Sequence, residues 1–191
     1  MKKEMVLARL NRAVEERLLC RVHLKKAEYE INCWPLKLSD DMVICALDID
    51  FLINGYGAYP VDRIDRVIIK DDLCREYSRR EGLLDEIVVP DVACDSWQAL
   101  FASLGEKQLV GTERKNAPTG ENAFAVGRVV KAGKKKVQLL CVGSDATWEE
   151  DVWRIRYRDI VEVTFADRYL TVFGKYVGEP ELYEREQGNE S

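Results

Sequence analysis

The chain runs to 191 residues, 47% apolar and 33% charged, with a net charge of −5, a length that suits two small domains of about 75 to 85 residues. It has no run of about 18 apolar residues, as a membrane span needs, and its start, MKKEMVLARLNRAVEE, mixes charges into the apolar positions unlike a signal peptide. Residues 1–77 carry 13 basic and 14 acidic groups, 78–94 carry 2 and 4, 95–176 carry 13 and 11, and 177–191 carry 1 and 5, so neither half is basic enough for charge alone to imply nucleic-acid binding.

Residues 2–14 place Met5, Leu7, Ala8, Leu10 and Val14 largely along one side of a short helix. The period then changes to two, with Leu18, Cys20, Val22 and Leu24 on one face of a first strand and Leu19, Arg21, His23 and Lys25 on the other. His23, the only histidine, reads as a solvated strand residue, because a base or ligand would need partners. From Glu30 to Leu38, Trp34, Leu36 and Leu38 alternate inward, and Pro35 bends the strand or sets it at an edge. Ser39-Asp40-Asp41 makes a turn, and Met42 to Leu47 a strand covered on both faces. Asp48 to Gly57 reads as a loop with two glycines, where Asp48 and Asp50 lack the further ligands of a cation site. Tyr59 and Val61 point inward on a fourth strand, Asp62-Arg63 turns, Ile64 plugs the barrel, and Val67 and Ile69 return on a fifth.

A linker helix is expected through Leu73, Tyr77 and Leu84, with Gly82 as its stop, and then an apolar piece, Ile87-Val88-Val89, that packs against a barrel. The pattern restarts at Asp95 or Ser96, which caps a helix with Trp97, Leu100, Phe101 and Leu104 on one face and Gly105 as terminator. Gln108 to Arg114 is a weak first strand, and 115–122, KNAPTGEN, a turn-rich loop. Phe124 to Val130 and Val137 to Val142 are the second and third strands. The stretch 155–167, IRYRDIVEVTFAD, repeats 59–71, YPVDRIDRVIIKD, with Ile160 answering Ile64 at a spacing of 96 residues. A repeated order of strands and turns is how a duplicated unit looks after divergence. Beyond it, Val161 to Ala166 and Tyr169 to Tyr176 read as a hairpin around Asp167-Arg168. The tail after Gly178 has too few apolar residues to fold by itself.

A short helix followed by five strongly curved strands, closed by VDRIDRV in one copy and YRDIVEV in the other, resembles the Sm-like family, whose barrel is related to the SH3-like small barrel. The expected fold is therefore mainly β: two tandem five-stranded Sm-like barrels, each preceded by a short α-helix. Residues 1–77 form the first, 78–94 the linker, 95–176 the second and 177–191 an acidic tail. The resemblance implies RNA contacts at Leu38 to Met42 and Asp62-Arg63 in the first copy, and at Gly133 to Lys136 and Arg158-Asp159 in the second. The first copy keeps only Asp and Met of the family's Asp to Met-Asn signature, and neither copy has the Arg-Gly after the fourth strand. The resemblance also implies assembly in which the fourth strand of one barrel pairs with the fifth of the next, leaving no sheet edge open.

Lys131, Lys134, Lys135 and Lys136, with Arg128 and Arg114 nearby, make the one concentrated basic feature, a candidate site for anions or nucleic acid. A solvated turn that blocks edge aggregation is the plainer alternative. Arg154, Arg156 and Arg158 alternate on a strand and extend the patch. Trp34, Trp97, Trp148 and Trp153 read as packing residues before base-stacking platforms. The six cysteines show neither CxxC nor zinc spacing and are expected as buried free thiols in a reducing cytosol. No GxSxG, glycine-rich phosphate loop or second histidine occurs, so no catalytic residue, metal ligand or cofactor is assigned. The expected function is a non-enzymatic, cytoplasmic, oligomeric binding or scaffolding module, a homo-oligomer through its barrel edges with a protein partner or RNA. RNA or nucleotide binding through the lysine hairpin is the alternative, and a small enzyme of unrecognised type the third reading.

Overall fold

The computed structural model describes residues 1–25, 29–115 and 122–180; most of the predicted loop 115–122 and the tail beyond 180 lie outside the described residues. The first half contains α1 (Lys3–Glu15), β1 (Cys20–Leu24), β2 (Glu30–Leu38), β3 (Met42–Ile49), β4 (Leu52–Pro60), a single 3-10 turn (Val61–Arg63) and β5 (Ile64–Ile69). Two short helices, α2 (Leu73–Arg80) and α3 (Leu83–Glu86), lead to the second half. There α4 (Trp97–Ser103), β6 (Leu109–Lys115), β7 (Asn122–Ala132), β8 (Lys136–Val142), β9 (Trp148–Arg156), a 3-10 turn (Tyr157–Asp159) and β10 (Ile160–Phe165) follow, and α5 (Arg168–Tyr176) comes last.

All ten strands form one antiparallel sheet in the order β5-β1-β2-β3-β4-β10-β6-β7-β8-β9. Its left half runs fifth, first, second, third, fourth, and its right half repeats that order. The stretch from β4 to β5 recurs from β9 to β10 with both ends displaced by 96 residues, Leu52 to Trp148 and Ile69 to Phe165. The halves join where Tyr56, Gly57 and Ala58 of β4 lie opposite Phe165, Thr164 and Val163 of β10. The sheet does not close into a barrel, because the outer edge of β4 is taken by β10 and β5 lies at the far margin.

Helix α1 buries Val6, Leu10 and Ala13, and Arg9 Nη1 donates to the carbonyl of Val67 at 2.6 Å. The buried stripe is rotated from the predicted one, which leaves Met5 50% exposed. Strand β1 alternates as its sequence indicates, and β2 shifts register between Pro35 and Lys37, the bend that proline forces. The expected loop from Asp48 to Gly57 is instead a hairpin: Ile49 faces Leu52, and Asp50 and Phe51 alone turn the chain with φ of 51° and 64°. Two-residue hairpin turns need such left-handed pairs and usually signal themselves by glycine. Asp-Phe hid this one.

The second hairpin expected at 169–176 is the helix α5. Asp167 Oδ1 accepts the N–H of Leu170 at 2.7 Å, and Asn54 Oδ1 accepts that of Arg168 at 2.9 Å, so two orphan donors of its first turn are satisfied. Leu170, Phe173 and Val177 then meet Leu109, Val126 and Val142 on the sheet. In the linker, Leu84 and Ile87 pack beside Trp34, while Val88 and Val89 are exposed, so only part of the predicted apolar piece packs.

Two main cores lie under α1 and α4, and they share residues across the join. Val161 belongs to the first; Met42, Ile44 and Ala58 belong to the second. Ile64 is 2% and Ile160 1% exposed, buried as their repeated position predicts. All six cysteines are free thiols, Cys20, Cys33, Cys45 and Cys141 buried. Among the described residues no helix is long and apolar enough to cross a membrane.

Candidate functional site

The two 3-10 turns lie side by side at one end of the join. Arg63 Nη2 donates to the carbonyl of Arg158 at 2.9 Å, and Lys25 Nζ to that of Asp62 at 2.7 Å. The lysine hairpin is tied to the same end: Tyr157 N donates to Lys135 O at 3.1 Å and the Tyr157 hydroxyl to Gly133 O at 2.7 Å. Cross-strand neighbours project to one side of a sheet. Gln138 lies opposite both Lys131 and Arg154, and Lys136 lies opposite Arg156. Lys131, Lys134, Lys135 and Lys136 are all exposed, and Arg63 and Lys25 extend this basic rim onto the first half. Asp159 tempers it, accepting from Arg156 at 2.6 Å. The corresponding first-half turn carries Asp40 and Asp41 instead, with Asp41 3.6 Å from Lys3.

Arg128 stands apart from the lysines. It is 7% exposed, lies 5.1 Å from the Trp148 ring, and bonds Glu179. The other tryptophans are similarly engaged. Trp34 is buried and donates to Asp48 at 3.1 Å, Trp97 packs on Phe101, and Trp153 lies under Arg114 at 4.7 Å and bonds Glu149. His23 lies 3.4 Å from Glu30. Among the described residues no group of three His, Cys, Asp or Glu is placed to hold a metal.

One cluster had no signal in the sequence. Glu113 and Glu162 are cross-strand partners on β6 and β10, and each meets a tyrosine from the first half: Tyr29 donates to Glu113 at 2.8 Å and Tyr59 to Glu162 at 2.6 Å. Burial, and the neighbouring Glu113, push the Glu162 carboxyl up to about 7, and burial raises the Tyr59 hydroxyl as well. The β6–β10 pairing sets Glu113 beside Glu162, and the meeting of the two halves brings Tyr29 and Tyr59 to them.

The remaining features are the sheet margins. Among the described residues β5 pairs only with β1, and β9 only with β8. The N–H of Lys70 bonds Leu19 directly opposite, so by antiparallel alternation Val67 and Ile69 turn their N–H groups outward, while on that side the carbonyls of Val67 and Asp65 accept from Arg9 at 2.6 Å and from the Met1 amino group at 2.8 Å. No family model matches the chain, and no curated protein or solved structure matches it.

Proposed function

We propose that the chain is a non-enzymatic assembly module, a tandem of two Sm-like units that joins copies head to tail and serves as an oligomeric binding scaffold. One observation supports this above others: β4 pairs with β10, the counterpart of β5, so a fourth-to-fifth strand junction already exists within the chain. The same two kinds of edge, β9 and β5, are left outermost. Shifted by the 96-residue repeat, the internal register becomes Arg154 opposite Val67, Trp153 opposite Ile68 and Val152 opposite Ile69 between copies. Outermost strand edges are templates for strand addition, a partner on β5 replacing the Arg9 and Met1 contacts to the carbonyls of Val67 and Asp65, and a junction between unlike edges propagates as a ring or a filament.

Light scattering at micromolar concentration is expected to give masses above the 22.0 kDa of one chain. An Ile68→Cys chain mixed with a Trp153→Cys chain is expected to form a disulfide-linked pair, because residues at a non-hydrogen-bonded position lie about 4.5 Å apart between Cα atoms. A monomer at every concentration, with no cross-link, sinks the proposal.

A second reading, RNA or polyanion binding, draws support from the meeting of Arg63 and Arg158 beside the lysine hairpin. Affinity for single-stranded RNA would then fall steeply with salt, and changing Lys131, Lys134, Lys135 and Lys136 to Ala would flatten the slope by about three units, at roughly 0.7 counterion per phosphate. A salt-independent titration excludes this reading.

A further inference from the structure

The sheet face under α5 holds a feature that neither the basic rim nor the edges use. Arg128 stands on β7 opposite Leu109 and Leu140, a position where its guanidinium is almost wholly out of water. An ion so placed destabilises the fold unless it is paired. Its partner is Glu179 Oε2 at 2.6 Å, on a side chain that is itself 71% exposed. Trp148 covers the guanidinium and donates its Nε1–H to the carbonyl of Gly178 at 2.8 Å. Val177 is buried against the cluster of Leu109, Val126, Val142 and Leu170, and Pro180 is buried on the other side of the glutamate. Arg128 Nε has no hydrogen-bond partner among the described residues.

Three consecutive residues are therefore held in three ways: an apolar side chain in a cleft, a main-chain carbonyl by an indole N–H, and a carboxylate by a stacked arginine. Arginine and tryptophan together, set in an apolar surround, are the anchors that peptide-binding surfaces use. A buried, stacked guanidinium with a spare donor offers a planar fork for a carboxylate.

We propose that Arg128, Trp148 and the apolar cleft beside them form a binding site for a short acidic peptide segment of a partner protein, apolar-Gly-Glu-Pro in character, which residues 177–180 occupy in cis as a displaceable strap. The strap is held by one exposed carboxylate, one carbonyl, the Val177 side chain and the Val177 N–H, which bonds the carbonyl of Phe173 at 3.1 Å. Tethering gives it an effective concentration in the millimolar range, so the site opens to a partner when the Glu179 contact is lost or outcompeted.

The test uses full-length wild-type and Glu179→Gln chains, titrated with an acetylated, amidated peptide of residues 175–180, KYVGEP, and with the same peptide carrying Gln for Glu. The indole N–H resonance of Trp148, assigned with Trp148→Phe, reports binding. The Glu179→Gln chain is expected to bind the Glu peptide at least about tenfold more tightly than wild type, the equivalent of one charge-assisted hydrogen bond. It is expected to ignore the Gln peptide, and Arg128→Lys added to it is expected to abolish binding while circular dichroism remains that of the folded chain. Should Arg128→Lys not fold, the Gln peptide gives the same discrimination without altering the protein. Equal or absent binding by the wild-type and Glu179→Gln chains overturns the proposal and leaves the ion pair as an anchor for the chain end.

Discussion

Glu162 carries no mark in the sequence, and its surroundings come from three other elements of the fold. Its folded value of about 7 lies above the ordinary 4.5, so between those values the folded protein holds a proton that the unfolded chain releases. Stability from this group is fully present below about pH 4.5 and is lost as pH rises through about 7. Urea midpoints are expected to fall from about pH 5 to pH 8, by at most roughly 3 kcal/mol at 1.36 kcal/mol per pH unit. Glu162→Gln, which keeps an acceptor for Tyr59, is expected to remove that part of the slope; an unchanged profile would place the titration elsewhere. Ile64 and Ile160 behave as their repeated context foretells, and each change to Ala is expected to cost about 2 to 5 kcal/mol in denaturant unfolding. A loss below about half a kcal/mol would mean that the position repacks freely. The difference in legibility is physical. Burial of an isoleucine is written in local alternation, whereas the environment of Glu162 is made by Tyr59, 103 residues away.

At the scale of elements, strands with strong alternation and helices with a polar cap were legible: β1, β3 and α4 with its Ser96 cap fall where their residues place them. The misread segments share a cause. In 169–176, Tyr169, Thr171 and Phe173 alternate as in a strand, but Asp167 and Asn54 cap a helix there, and Leu170 with Phe173 and Val177 supplies the helical stripe. Cap and stripe decided between two periodicities. Asp167→Ala is expected to destabilise the protein by about 1 kcal/mol. Gly55→Ala is expected to cost more, since its φ is +71° and a Cβ would stand 2.4 Å from the backbone nitrogen of Asp167. Paired unfolding curves check the order; the reverse order would show that α5 is not seated against β4. The Asp50-Phe51 turn was illegible because neither residue advertises positive φ, though aspartate tolerates it.

For the whole molecule, the repeated order of strands could be read from 59–71 and 155–167, but the manner in which the halves meet could not. The linker was expected to carry a helix and a packed apolar piece; it is held along the sheet also by polar bonds, from Tyr56 to Val88 O at 2.8 Å and from Lys37 to Val92 O at 2.7 Å. The join itself rests on three residue pairs of β4 and β10 and on apolar side chains that each half contributes to the other's core. No local pattern encodes a choice of neighbour between two equivalent edges; it follows from shape and register across the folded halves. Covalent linkage fixes the stoichiometry of any closed assembly made through β9 and β5. Every chain contributes one internal junction for each external one, so the units around such a circle come in pairs, alternate strictly between first-half and second-half type, and are always even in number. An odd circle is topologically barred, and any circle that forms has half the rotational symmetry its unit count would suggest.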